Sequence, residues 1–186
     1  MPRNPEEARD RLRQAALELF AENGFEQTTA AQIAARAGVT ERTFFRHFPD
    51  KREVLFDGED RLGKALAAAI TAAPEGLPPM DMLRRAFAAV AELLEGNRAF
   101  SEPRQHIIAA SPALTEREVA KHATLAAGMA SALRQRGVAP LRADLAAQAG
   151  LAVMGHAISA WFADPSKSLE THLDRAFVEL QNLASP

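Results

Sequence analysis

The amino-acid sequence predicts an all-α fold of about nine helices. Apolar residues recur at intervals of three and four, which is the spacing of a helix with one buried face. No useful run alternates apolar and polar residues at the period of a strand. The clearest helical stripes are Ala8, Leu12, Ala15, Leu19 and Phe20 near one end and Leu169, Leu173, Phe177 and Leu180 near the other.

Glycine and proline set the expected limits of the helices. Asn23-Gly24 ends the first stripe, and two short helices precede Pro49. A longer helix is expected to begin near Asp50, without a linker, and a loop covers 73–79. Further helices are expected at about 80–95, 100–110, 115–136, 141–163 and 167–183. We therefore expect a three-helix N-terminal domain, 1–56, and a helical C-terminal domain, 57–186.

Composition narrows the class of protein. The 186 residues include no cysteine, which excludes a disulfide framework and thiol catalysis and fits a reducing compartment. Residues 1–14 are mostly charged or proline, so we expect a cytoplasmic rather than a secreted protein. The net charge of −2 does not indicate nucleic-acid binding, but residues 36–52 hold five basic and two acidic side chains.

An uncharged stretch at 145–163 is nearly long enough to span a membrane. It contains Gln148, His156 and Ser159, and seven of its residues are alanines, which are only weakly hydrophobic. A helix packed against other helices explains it better than a membrane span. No membrane partner is therefore expected.

Residues 28–48 have the pattern of a helix-turn-helix. Thr29 and Gln32 form a capping box at the start of the first short helix. Gly38 allows a turn with positive φ, and Thr40 caps the second helix. On that second helix Phe44 and Phe48 lie four residues apart, which predicts a buried face.

The other face of the second helix carries candidate contacts to double-stranded DNA, because this helix enters the major groove in helix-turn-helix proteins. Arginine suits guanine, and a threonine methyl or phenylalanine ring can meet a thymine methyl. Glu41 could accept a hydrogen bond from cytosine or instead orient a neighbouring arginine. The candidate base contacts are Glu41, Arg42, Thr43, Phe45 and Arg46, and the candidate phosphate contacts are Thr28, Thr29, Thr40, His47 and Lys51.

The run from Ala16 to Leu55 resembles the DNA-binding domain of the tetracycline-repressor (TetR) family. The family often has a small residue where this chain has Arg42, and often tyrosine where it has Phe45. The matching pieces are Ala16-Leu17-Glu18-Leu19-Phe20, Gly24-Phe25, Thr28-Thr29, Ile33-Ala34, Ala37-Gly38-Val39, Thr43-Phe44-Phe45-Arg46-His47-Phe48, Lys51 and Leu55.

The resemblance implies a homodimer in which the last two helices form a four-helix bundle with their symmetry mates. A monomeric core is the alternative. Two-fold symmetry implies a pseudo-palindromic operator, with half-sites roughly 34–36 Å apart or a multiple of that distance. The expected dimer interface comprises Ala147, Gly150, Leu151, Met154, Ile158, Trp161, Leu169, Leu173, Phe177 and Leu180.

The resemblance also implies a small-molecule effector whose binding changes the spacing of the two DNA-reading heads and relieves repression. The composition of the middle helices suggests an apolar or amphipathic effector. Residues of these types are more often part of an ordinary core than ligand contacts. The candidate ligand-binding residues are Phe87, Phe100, His106, His122, Met129 and Met154.

No enzyme motif is present. The five histidines lack metal-ligand spacing, and there is no phosphate-binding glycine loop or nucleophile elbow. We therefore expect no catalytic residue, metal or cofactor. A helical ligand-binding or adaptor protein that does not use its helix-turn-helix on DNA is the alternative, but it would have little reason to expose both Arg42 and Arg46.

Overall fold

The computed structural model describes residues 5–184, and within that range it contains nine α-helices and no strand. This confirms the all-α prediction. The helices are α1 Pro5–Asn23, α2 Ala30–Arg36, α3 Glu41–His47, α4 Glu59–Thr71, α5 Pro79–Gly96, α6 Arg98–Ala109, α7 Pro112–Gln135, α8 Pro140–Ala163 and α9 Leu169–Ala184.

Local sequence explains several helix ends. Proline occupies the first turn of α5 and of α8, where its missing N–H costs no helical hydrogen bond. Gly24 and Gly137 follow α1 and α7 with φ of 78° and 83°, a conformation that glycine adopts without strain.

The helix expected near Asp50 begins only at Glu59. The Asp50 carboxylate accepts hydrogen bonds from the backbone N–H groups of Arg52 and Glu53, so it caps a turn rather than a helix. Successive turns follow, with hydrogen bonds from the N–H of residues 55 and 56 to the carbonyls three residues earlier. Val54, Leu55 and Phe56 of this segment are buried.

The first of two compact units contains the residues up to 58 together with 99–119. Leu12, Phe20, Ile33 and Phe44 belong to its core. The predicted boundary after residue 56 lies close to the end of the first segment but assigns 99–119 to the other domain. The structure places that segment in the first unit because its apolar side chains, including Ile108 and Leu114, are buried in this core.

The second unit contains 59–98 and the residues from 120 onward. Helix α5 packs against α4, α8 and α9, and the rings of Phe87 and Phe177 lie 5.9 Å apart. A Cβ built on Gly150 of α8 would lie 2.9 Å from Leu83 Cδ1, so α5 and α8 approach closely there. By length and hydropathy α8 could span a membrane, and 39% of its most apolar window is buried inside the protein.

Candidate nucleic-acid interface

The turn between α2 and α3 has the geometry that the sequence predicts. Thr29 Oγ1 accepts a hydrogen bond from Gln32 N (3.2 Å), and Gln32 Oε1 accepts one from Thr29 N (2.8 Å). Gly38 has φ of 68°, in the left-handed region. Thr40 Oγ1 accepts from Thr43 N, which caps α3.

Helix α3 has one buried face and one exposed face. Phe44 and Phe48 are buried, with ring centroids 5.8 Å apart. Glu41, Arg42 and Arg46 are exposed, and Thr43 is half-buried. Phe45 is 51% exposed, which is unusual for so large an apolar side chain. Within the described residues Glu41 is not paired with an arginine, so it does not orient one here.

Ion pairs neutralise most of the basic side chains of the first unit. Hydrogen bonds to Glu22 and then Glu18 raise the pKa of Arg36 above its ordinary value. The Asp50 carboxylate likewise raises the pKa of Arg52. The remaining pairs are Arg9 and Arg13 with Asp57, Arg104 with Glu118, and Arg117 with Glu53.

Three arginines of the first unit have no ion pair or hydrogen bond among the described residues. Two of them are Arg42 and Arg46, both on the exposed face of α3, and the third is Arg11 on α1. The basic residues counted in 36–52 thus leave only those of α3 unpaired, since Arg36 and Arg52 form ion pairs and Lys51 donates to backbone carbonyls. Sequence reasoning missed Arg11, because only the fold reveals which charges are paired.

Two predicted phosphate contacts are corrected by the structure. Thr28 is fully buried, and its hydroxyl donates to the carbonyls of Leu19 (3.1 Å) and Gly24 (2.9 Å). Lys51 Nζ donates to three backbone carbonyls, which use all three N–H groups of the ammonium. Neither side chain is available to a phosphate.

The other three predicted phosphate contacts remain predictions. Thr29 and Thr40 are exposed at the starts of α2 and α3. His47 is half-buried, and its Nε2 is buried without a hydrogen-bond partner among the described residues. Burial, followed by the charges of Arg46 and Arg9, lowers the pKa of His47, so the neutral ring is favoured.

The residues predicted for a dimer interface pack in the core of the second unit, where the broad apolar face of α8 and the stripe of α9 are buried. Leu151, Ile158 and Leu180 are half-buried against this core. The fully buried members are Ala147, Gly150, Met154, Trp161, Leu169, Leu173 and Phe177.

The ligand candidates do not form one cluster. Phe87, Met129 and Met154 are buried together in the core of the second unit. Phe100 packs in the first unit, with the Arg13 guanidinium 4.0 Å from its ring centroid. His106 and His122 are exposed, and a ring nitrogen of His106 lies 3.1 Å from the Glu102 carbonyl. The histidines are thus not placed in an apolar pocket.

Two family models match most of this chain. The model described as "Bacterial regulatory proteins, tetR family" matches residues 12–57. The model described as "MftR C-terminal domain", a TetR C-terminal model, matches residues 77–184, which is more than half of the chain. The chain belongs to the TetR family of bacterial regulators.

Curated relatives in the family are named as transcriptional regulators. The HTH-type transcriptional regulator TcmR of Streptomyces glaucescens is 44% identical over 82 residues, covering 44% of this chain and 36% of TcmR. The HTH-type transcriptional repressor Rv3405c of Mycobacterium tuberculosis is 36% identical over 86 residues, covering 46% of this chain and 44% of the repressor. The matches thus span less than half of each relative.

Solved structures of the family match along nearly the whole chain. The TetR-family repressor FadR of Thermus thermophilus, in complex with lauroyl-CoA, is 25% identical, covers 93% of each chain and has a TM-score of 0.57. A TetR-family protein of Syntrophomonas wolfei has a TM-score of 0.69 over 97% of this chain and 96% of its own. At 18% identity, the second likeness concerns the fold alone.

Proposed function

We propose that this chain is a transcriptional regulator that binds double-stranded operator DNA through α3. One observation carries the proposal: Arg42 and Arg46 project from the exposed face of α3 without ion pairs among the described residues, in a unit where most other cations are neutralised. The names of the curated relatives support the same function.

The side chains of α3 have complementary roles in this proposal. Arg42 and Arg46 donate to guanine O6 and N7, and the exposed ring of Phe45 meets a thymine methyl. Glu41, which is not held by an arginine, accepts from a cytosine amine. The adaptor alternative gives no role to this set of unpaired polar groups beside an exposed aromatic ring.

Replacement of Arg46 tests the assignment. The operator is first identified by selection from random DNA, and binding is then measured by fluorescence anisotropy. Arg46→Ala is expected to weaken specific binding by about 1–3 kcal/mol, because a bidentate base contact is lost. Arg85→Ala, which removes an exposed arginine of the second unit, is the charge-matched control. An operator affinity equal to that of the control would refute the role of Arg46.

We also infer a homodimer, but through a face of α8 that differs from the one expected from sequence. Leu141 and Leu145 are 73% and 62% exposed. These two leucines begin a stripe of exposed residues that recur along α8 at intervals of three and four. Helix α9 adds the exposed side chains of Val178 and Leu183. The stripe on α8 is Leu141, Leu145, Gln148, Ala152, Gly155 and Ser159. A second copy packed on this face would form a two-fold symmetric dimer, and such a dimer binds a pseudo-palindromic operator.

For the effector we propose an apolar or amphipathic molecule that releases the regulator from DNA, as in a repressor. The core around Phe87, Met129 and Met154 is apolar, which favours this class of ligand over a charged one. The lauroyl-CoA complex of the Thermus relative supports an acyl chain as the first molecule to test. Regulation of this kind places the protein in the cytoplasm and requires no enzymatic activity.

A further inference from the structure

Helix α1 and the α2–α3 turn together line a small cleft in the first unit. Its volume is about 300 Å³, at the lower end of the range for small-molecule pockets, so it suits a small group. Ala8 and Val39 supply apolar lining. The polar lining consists of Arg11, Thr40, Thr43 and Arg46.

The charged side chains that line the cleft, Arg11 and Arg46, are both positive. Both guanidinium groups lack ion pairs among the described residues, and none of the described residues that line the cleft has a carboxylate side chain. The hydroxyls of Thr40 and Thr43 are hydrogen-bonded to each other (3.0 Å), so one of their two O–H groups stays available as a donor. Two unpaired guanidinium groups beside one available O–H donor fit a phosphate group.

The fold brings Arg11 of α1 close to Gly38 in the α2–α3 turn, although the two residues are far apart in the sequence. A Cβ built on Gly38 would lie only 3.8 Å from Arg11 Nη1. Thr40 and Arg46 belong to the proposed DNA interface, so a group bound between them and Arg11 lies at that interface. The ligand in reach of this cleft is therefore a phosphodiester of the bound DNA.

We propose that Arg11 is a further DNA-contacting residue, which together with Thr40 holds one backbone phosphate beside the base contact of Arg46 and fixes the position of α3 in the groove. This proposal rests on the proposed function. A phosphate contact positions the protein but carries no sequence information. Arg11 should thus contribute to affinity for all DNA, whereas Arg46 also contributes to specificity.

The experiment compares Arg11→Ala, Arg11→Lys and the control Arg85→Ala on the selected operator and on random duplex DNA. Arg11→Ala is expected to weaken binding to both by about 3- to 10-fold and to reduce the slope of log K against log salt by about 0.9. Arg11→Lys should retain most of the affinity, since it keeps the charge. Arg11 and Arg85 are both exposed, so circular dichroism should show that all three variants are folded.

A second measurement locates the phosphate. Operator phosphates are replaced one at a time by neutral methylphosphonate. At the phosphate in the cleft, replacement should weaken binding of the unsubstituted protein but not weaken binding of Arg11→Ala any further, because the two changes remove the same contact. Additive losses at every phosphate would overturn the proposal.

Other outcomes separate the possible failures. If the unsubstituted protein binds DNA and Arg11→Ala equals Arg85→Ala, Arg11 has no role, and the proposed function stands. If the protein binds no DNA, both proposals fail. If inorganic phosphate at constant ionic strength binds the free protein in an Arg11-dependent way while no methylphosphonate shows coupling, the cleft holds a free anion, and the phosphodiester assignment is overturned.

Discussion

Lys51 illustrates how a basic residue near the proposed DNA-binding helix α3 can act inside the protein. Its ammonium donates to the carbonyls of Phe25 (2.8 Å), Thr28 (2.9 Å) and Glu26 (3.3 Å), and it lies 4.3 Å from the Phe25 ring centroid. These contacts join the segment after α3 to the loop between α1 and α2. The residue thus supports the position of α2 and α3 without reaching DNA itself.

Lys51→Ala is therefore expected to lower the free energy of unfolding by roughly 1.5–3 kcal/mol, because charged hydrogen bonds to partly buried carbonyls are lost. Urea denaturation at neutral pH measures this loss. Lys64→Ala, at an exposed position of α4, is the control and should change stability by less than about 0.5 kcal/mol. An unchanged stability together with a reduced salt slope for DNA binding would instead indicate a phosphate contact.

At the scale of elements, α8 combines two different faces. One face lines the core of the second unit, where Gly150 allows close contact with Leu83 and Phe87 of α5. The opposite face exposes Leu141 and Leu145. An open face with two exposed leucines, on a helix of this length, fits association with another copy of the helix.

Ala152→Arg is expected to convert the proposed dimer to a monomer, because it places a long charged side chain in the centre of the outer stripe of α8. Sedimentation velocity at micromolar concentration measures the change. Ala123→Arg, at an exposed position of α7, is the matched control and should leave the dimer intact. The proposed interface is wrong if Ala152→Arg sediments like the unsubstituted dimer, and a monomeric unsubstituted protein would exclude a dimer altogether.

At the scale of the whole molecule, regulation requires that effector and operator bind different states of the same protein with different affinities. The coupling is reciprocal, so an effector that weakens operator binding is itself bound less tightly by the DNA complex. Typical coupling of this kind changes an affinity by about 5- to 150-fold.

Lauroyl-CoA is expected to weaken operator binding within this range, whereas coenzyme A without the acyl chain should leave it unchanged. The reason is that the core of the second unit, which includes Phe87 and Met129, is apolar and so favours an acyl chain over a nucleotide. Anisotropy with labelled operator measures the release. An operator affinity that the acyl compound leaves unchanged would show that the effector belongs to another chemical class.

The sequence alone determines the helices, the capped turn and the buried face of α3. Capping at Thr29 and Thr40 and the spacing of Phe44 and Phe48 involve residues three or four positions apart, so the local pattern is sufficient. The start of α4 could not be predicted in this way. The segment before it, which contains the buried Leu55, forms turns that tertiary packing stabilises.

Only the tertiary structure decides which charges are free and which faces are open. Arg9 pairs with Asp57 across 48 positions and Arg117 with Glu53 across 64, distances over which local sequence carries no signal. Periodicity identifies the apolar side of α8 but not the neighbour that covers it. The physical reason is that ion pairing and burial depend on contacts between distant segments, and those contacts leave Arg11, Arg42 and Arg46 unpaired within the first unit's described residues.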